Sequence, residues 1–251
     1  TALVGAYVDD VGANLNQGSV YIFKRSGVSW NQQAQLTASD GAAEDYFGRS
    51  VSLAADGGTA LIGSDFKRIG ENNRQGAAYV FTENEGEWSQ QARITAQEGS
   101  AYNWFGFSVG LSSDGRTALV GAEGYGAAFV FTLSGNTWSE QAVLNVEGIT
   151  FFWGVPVALS PNGRTALIED GYLFQYIDGS WQAGPNLQPE DSGTASKGFG
   201  SSVALSKDGS LALVGAKFAQ IGENQSQGAA YFFSDFSALR QPAIFLPLII
   251  R

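Results

Sequence analysis

Apolar residues in this chain arrive in short bursts of four to six, each bounded by Gly, Asn, Asp or Ser. Stretches such as Ser50-Val51-Ser52-Leu53 and Ser202-Val203-Ala204-Leu205 alternate small or polar positions with apolar ones. That period of two predicts strands, and no stretch carries the three-to-four spacing of an amphipathic helix. Asp56-Gly57, Asp114-Gly115, Asn162-Gly163 and Asp208-Gly209 separate successive bursts. Such pairs supply the positive φ angles that a tight hairpin turn requires.

The bursts also repeat. TALVGA at 1–6 returns as TALIGS (59–64), TALVGA (117–122), TALIED (165–170) and LALVGA (211–216), at intervals of 46 to 58 residues. Four of these are preceded by FGRSVSLAADGG, FGFSVGLSSDGR, WGVPVALSPNGR and FGSSVALSKDGS, starting at Phe47, Phe105, Trp153 and Phe199. They are followed by QGSVYIF, QGAAYVF, YGAAFVF, GYLFQY and QGAAYFF. A last element opens at Trp30, Trp88, Trp138 and, in degraded form, Trp181. Four hairpin-linked strands per repeat predict an all-β fold of antiparallel blades, a β-propeller. The expected blades are about 1–46, 47–104, 105–151, 152–198 and 199–251, in one domain. Recurring Trp at one blade position predicts packing beside the outer strand.

The order FG…LVGA…G-x-x-Y-x-F resembles the FG-GAP repeat, the blade unit of integrin α-subunit propellers and of many bacterial secreted proteins. The resemblance covers nearly the whole chain. It implies that SVALS-type elements are innermost, TALVGA-type second, YVF-type third and QARI-type outermost. Five repeats imply five blades, against seven in integrins.

Five four-stranded blades need one strand more than the sequence supplies. The chain opens at a second strand, Thr1-Ala2-Leu3-Val4, with no inner strand before it, and the fifth repeat lacks a Trp-led outer strand. The tail QPAIFLPLIIR (241–251) fills one vacancy. Spacing and direction favour the outer slot of blade five, and its apolar character favours an inner one. Nine nearly uncharged residues are too short to span a bilayer as helix, which takes about 20. An unpaired blade edge is a template for another chain. The expectation is therefore head-to-tail self-association by strand complementation, possible as a filament, with Thr1–Val4 and Ala243, Ile244, Phe245, Leu246, Leu248, Ile249 and Ile250 at the contact.

Composition narrows the function. A formal charge of −10 and pI near 4.4 leave no basic stripe for nucleic acid. Cys, His and Met are absent, so thiol and imidazole catalysis are excluded, and Thr1 is not a translational start. A removed signal peptide or a fragment is expected, and an extracellular or cell-surface location with it.

In integrins the first hairpin loop carries several carboxylates that suit calcium. Here Asp56, Asp114 and Asp208 are single, far from the six to eight oxygens of a calcium cage. No cofactor is expected. Loops between second and third strands share Val/Ile-Gly-x-Asn-x-x-Gln-Gly, with Asn14, Asn72 and Asn224 equivalent and Gln17, Gln75 and Gln227 equivalent. The loops belong to blades one, two and five, contiguous in a closed ring of five. With Asp9, Asp10, Glu71 and Glu223 they are the candidate site for a polar ligand, such as a glycan or surface protein. Their competing role is to satisfy loop backbone groups. Asp40, Glu44, Asp45, Glu98, Glu147, Glu190 and Asp191 lead into first strands on the same expected face. Paired carboxylates about 5–9 Å apart hydrolyse glycosides, but with no supporting constellation the chain is read as a non-enzymatic binding or structural module.

Overall fold

The computed structural model describes residues 1–145, 154–189, 197–234, 236 and the short strand 246–248. Expected positions at Glu147, Trp153, Glu190, Asp191, Ala243, Ile244, Phe245, Ile249 and Ile250 lie outside the described residues. Five antiparallel blades form the β-propeller that the repeats predict, with a single turn of 3-10 helix at Glu123–Tyr125 the one helical element among the described residues. The chain divides into two compact units, Thr1–Val155 and Pro156–Arg251.

The first unit holds three blades. Blade one contains β1 (Ala2–Ala6), β2 (Ser19–Ser26) and β3 (Ser29–Leu36), paired in that order. Blade two contains β4 (Ser50–Leu53), β5 (Thr59–Ser64), β6 (Ala77–Asn84) and β7 (Glu87–Ile94). Blade three contains β8 (Phe105–Leu111), β9 (Thr117–Ala122), β10 (Ala127–Ser134) and β11 (Thr137–Asn145). Ile22/Phe23, Val80/Phe81 and Val130/Phe131 each mark a bulge between the third and fourth strands. The twist of each blade is thus set at one recurring position, since a bulge sharpens local right-handed twist.

The recurring residues fall into place physically. Phe47 packs edge-on against Tyr79 and Phe81, at centroid separations of 5.4 and 5.9 Å, and Phe105 does the same with Phe129 and Phe131 at 5.4 and 5.8 Å. The glycine after each Phe explains itself by proximity. A Cβ on Gly5 would stand 2.1 Å from the Gly48 carbonyl oxygen, and one on Gly63 would stand 1.9 Å from that of Gly106. Successive blades therefore touch backbone to backbone, where no side chain fits. Around this contact Val20, Ile22 and Leu36 join Ile62, Tyr79 and Phe81 in one core, and Leu61, Val80 and Ile94 join Val120, Phe129 and Phe131 in the next.

The second unit repeats the scheme. Blade four contains β12 (Val157–Leu159), β13 (Thr165–Ile168), β14 (Tyr172–Ile177) and β15 (Ser180–Asn186). Blade five contains β16 (Phe199–Leu205), β17 (Leu211–Ala216), β18 (Ala229–Ser234) and β19 (Leu246–Leu248). Phe199 packs against Tyr231 and Phe233, and Leu167, Leu173 and Leu187 share a core with Val214 and those two aromatics.

The tail takes the outer slot. Phe232 stands opposite Leu246, and Ala230 opposite Leu248, in antiparallel register. Pro247 sits on this last strand, where a missing N–H breaks no central ladder. Among the described residues β1 pairs with β2 alone, whereas β5, β9, β13 and β17 each pair on both sides.

Candidate functional site

The amide-rich loops are hydrogen-bonded turns. Val11 and Asn14 form an isolated antiparallel bridge, as do Ile69 and Asn72 and, in the second unit, Ile221 and Asn224. Asn14 donates to Gln17 at 2.7 Å, Asn72 to Gln75 at 2.8 Å and Asn224 to Gln227 at 3.1 Å. In blades one and two the same Asn also donates to a carbonyl on the linker entering the next blade, Gly41 and Gly99 respectively. Gln17 and Gln75 are buried against those glycines. These amides therefore spend their hydrogen-bonding capacity on one another and on the linker. Asn224 and Gln227 keep the pair but are exposed.

The carboxylates of these loops separate. Asp9 accepts from the Ser19 and Tyr21 hydroxyls, which hold it below the usual carboxylate range. Asp10 accepts from the Asn16 backbone N–H at 2.9 Å. Glu71 makes an exposed ion pair with Arg68 at 3.2 Å, and Glu223 is exposed. No group of three or more acidic side chains among the described residues is placed to share a metal ion. The single hairpin carboxylates cap their turns: Asp56 accepts from the Gly58 N–H, Asp114 from Ser112 and Arg116, and Asp208 from Ser206 and Ser210. Those hydroxyl and backbone donors draw Asp208 down to about 2.

Beneath the loop of blade two lies an ionic network that sequence reasoning did not assemble. Lys67 donates to Asp45 at 2.8 Å with both side chains buried, and also to the Asp40 backbone carbonyl. Tyr79 donates to Asp40 at 2.9 Å, and Arg93 pairs with the same carboxylate. Burial pushes Asp40 up, but Tyr79, Arg93 and Lys67 together outweigh it and hold it low; in Asp45 burial prevails and the shift is upward. The signal was available by alignment of the repeats. Lys67 stands where blade one has Asp9, and Arg93 where it has Gln35, so a cation replaces an anion and its partners change to match. Asp40 and Asp45 are thereby latch residues tying the linker to blade two.

Two further features face the same loops. Arg49 lies between the rings of Tyr7 and Phe107, 5.0 Å from each centroid, with Asp65 3.7 Å away. Asp65 is buried, one oxygen lacks a hydrogen-bond partner, and desolvation lifts its pKa to about 6. Beside it a cleft of about 510 Å³ is lined by Glu44, Phe66, Arg68, Asn73, Arg74 and Tyr102, among others. The Arg74 guanidinium rests 4.3 Å over the Phe66 ring, and its charge also acts on Glu44 in the same cleft. Glu44 is drawn down by hydrogen bonds from Asn16 and Tyr46. Two guanidinium groups beside a half-exposed tyrosine suit an acidic ligand with apolar surface.

The recurring Trp positions differ in exposure. Trp88 and Trp138 pack against the cores between blades, and Trp138 donates to Gln91 at 3.2 Å, while Trp30 is exposed.

The model of the FG-GAP repeat matches residues 30–81, 88–131 and 185–233, more than half of the chain. No curated protein sequence matches. Among solved structures the chain is similar to a functionally unknown protein from Desulfotomaculum acetoxidans (TM-score 0.60, 9% identity, covering 90% of this chain and 61% of that one). It is also similar to a protein from Lactobacillus plantarum (TM-score 0.61, 14% identity, 91% and 64%). A third is the periplasmic gluconolactonase of Pseudomonas aeruginosa (TM-score 0.56, 16% identity, 99% and 68%). At these identities the likeness is one of fold. The chain spans under two thirds of the length of the first two.

Proposed function

The chain belongs to the FG-GAP repeat family, and from that premise we propose that it is a non-enzymatic binding and structural module of the cell surface, periplasm or extracellular space that completes its first blade with a strand from another polypeptide. One observation carries this reading: the inner edge of β1 is unpaired among the described residues, while the other four blades hold an inner strand there. Such an edge offers a row of backbone donors and acceptors to an incoming strand. The other blades define what fits. Val51 stands opposite Ile62 and Leu53 opposite Ala60; Val109 stands opposite Val120 and Leu111 opposite Ala118. The entrant to blade one therefore carries Val opposite Val4 and Leu two residues on, opposite Ala2.

The test uses a labelled peptide of residues 49–56, RSVSLAAD, titrated with the 1–251 chain and followed by fluorescence anisotropy. Saturable binding that disappears when both Val51 and Leu53 of the peptide are changed to Asp supports strand uptake. Equal binding of both peptides, or none, refutes it.

A second reading has its own observation. The cleft bearing Arg68, Arg74 and Tyr102 favours a glycan with an acidic group, held by the guanidinium groups and stacked on the tyrosine. Glycan-array signal confined to acidic sugars and lost in Arg74→Ala would support it, and signal indifferent to that change would dismiss it.

A further inference from the structure

In a chain of formal charge −10, residues 67–74 (KRIGENNR) carry three cations against one carboxylate. The equivalent stretch of blade one, 9–16 (DDVGANLN), carries two carboxylates and no cation. Local charge thus turns from negative to positive between neighbouring blades. Lys67 is engaged by Asp45 and by the Asp40 carbonyl, while Arg68 and Arg74 line the cleft of about 510 Å³ in blade two. That volume falls within the range of small-molecule sites, roughly 300–1,000 Å³. Every residue lining it belongs to the first unit, on the loops of blade two and on the linkers that enter blades two and three.

The walls are set by the backbone. The Tyr102 N–H donates to the Asn73 carbonyl at 2.8 Å and the Trp104 N–H to that of Arg74 at 3.0 Å, so the linker into blade three is pinned along the loop that carries Arg74. One blade earlier the Glu44 N–H donates in the same way to Leu15 at 2.9 Å. Both linker residues hold left-handed angles, Glu44 at φ 64° and Tyr102 at φ 63°, which side chains of their size seldom adopt. The ion pair between Arg68 and Glu71 is exposed on both sides and worth little, so Arg68 changes partner at small cost.

Glu44 gives the cleft a polarity that two guanidinium groups alone lack. One of its oxygens accepts from Asn16 and the other from Tyr46, both at 2.9 Å. A carboxylate offers about four acceptor positions, so about half remain. The Asn16 and Tyr46 donors draw its pKa down and Arg74 adds to the effect, so the group is charged at neutral pH. A bare anion approaching Arg74 therefore meets a fixed negative charge. A ligand whose acidic group sits beside hydroxyl groups turns that repulsion to advantage, since the hydroxyls donate to Glu44 while the acid accepts from the guanidinium.

We propose that the blade-two cleft binds a uronic acid unit, with its carboxylate on Arg68 and Arg74, its ring on Tyr102 and a neighbouring hydroxyl on Glu44. Glu44 then selects such sugars over anions that lack hydroxyl groups, an attraction and a repulsion in one residue. This rests on the acidic-glycan reading above and narrows it to one class of sugar, with Glu44 as the residue that sets specificity.

The experiment follows the arginine side-chain N–H signals of the isotope-labelled 1–251 chain by NMR. The titrants are methyl glucuronoside, its methyl ester and cyclohexanecarboxylate, which keeps the ring and the carboxylate and lacks every hydroxyl. The parent should bind the glucuronoside saturably and at least about tenfold more tightly than either other compound, and Arg74→Ala should lose about tenfold or more. Glu44→Gln should act in opposite directions on the two acids. It weakens the glucuronoside by about fivefold, and leaves cyclohexanecarboxylate unchanged or more tightly bound, because a repelling charge has gone. A parent that binds the glucuronoside no more tightly than cyclohexanecarboxylate, or a Glu44→Gln variant that binds both acids more tightly, overturns the role of Glu44 and leaves the acidic-ligand reading standing. Binding of the ester as tight as the acid, binding indifferent to Arg74→Ala, or no shift with either acid overturns the reading and the inference together.

Discussion

Lys67 places its ammonium 2.8 Å from the Asp45 carboxylate, and the two residues come from different parts of the chain, the loop after β5 and the linker into β4. The pair ties the chain entering blade two to a loop of that same blade. Removing one partner strands the other charge in a site nearly closed to water, where the cost is about 3–5 kcal/mol. Lys67→Met should therefore lower stability in urea by about that amount, and Lys67→Met with Asp45→Leu by clearly less. Equal losses in the single and double variants would show that the network, with Asp40 and Arg93, does not couple the two residues.

Asp65 should make the protein less stable as the solution becomes neutral. Burial raises its folded pKa to about 6 from the ordinary 3.8 of an aspartate, so the folded state holds its proton more tightly than the unfolded chain. The stability this supplies is complete below about pH 4 and is lost as pH rises through 6, a change of about 3 kcal/mol at most. Arg49 draws the carboxyl down and Glu123 pushes it up, each by less than burial does. Asp65→Asn should match the parent near pH 4 and exceed it in melting temperature at pH 7. A gap that is constant across this range would rule out Asp65 as its source.

Gly63→Ala should destabilise by about 1–3 kcal/mol or more, because its methyl group would meet the Gly106 carbonyl oxygen of the next blade. Gly86→Ala is a useful contrast, since nothing lies within 4 Å of its added carbon. Its cost comes from a φ of +92° alone. Comparing both variants with the parent by urea titration separates crowding from backbone strain.

Chelator should leave the melting temperature unchanged, since the carboxylates of Asp56, Asp114 and Asp208 are engaged by donors of their own turns. A fall of several degrees on adding EDTA, restored by calcium, would mean that these turns hold a cation.

What the sequence disclosed, and what it hid, divide along a physical line. Hairpins, strand order and the Phe–Gly signal were legible because each depends on residues a few positions apart. The Asn–Gln pairs were visible as a repeat, but their acceptors at Gly41 and Gly99 were not, since carbonyl oxygens leave no mark in a sequence. Lys67 looked like one more surface charge until the fold brought Asp45 beside it. Trp30 and Trp88 have identical local patterns and opposite surroundings, because burial depends on the neighbouring blade. For the tail, spacing pointed to the outer slot and apolar character to an inner one; the pairing of Leu246–Leu248 with β18 decides for spacing.

The meeting of Gly5 with Gly48, and of Gly63 with Gly106, has a consequence for how such a chain lengthens. Surfaces joined by interlocking side chains must change together, so a new neighbour has to be tailored to the old one. Here the closest approach is bare main chain on both sides, identical at every junction that repeats the two glycines. A duplicated blade would thus arrive with the correct fitting at either end. The number of blades is free to drift by copying, and each blade carries the gauge of its spacing but no tally of its companions.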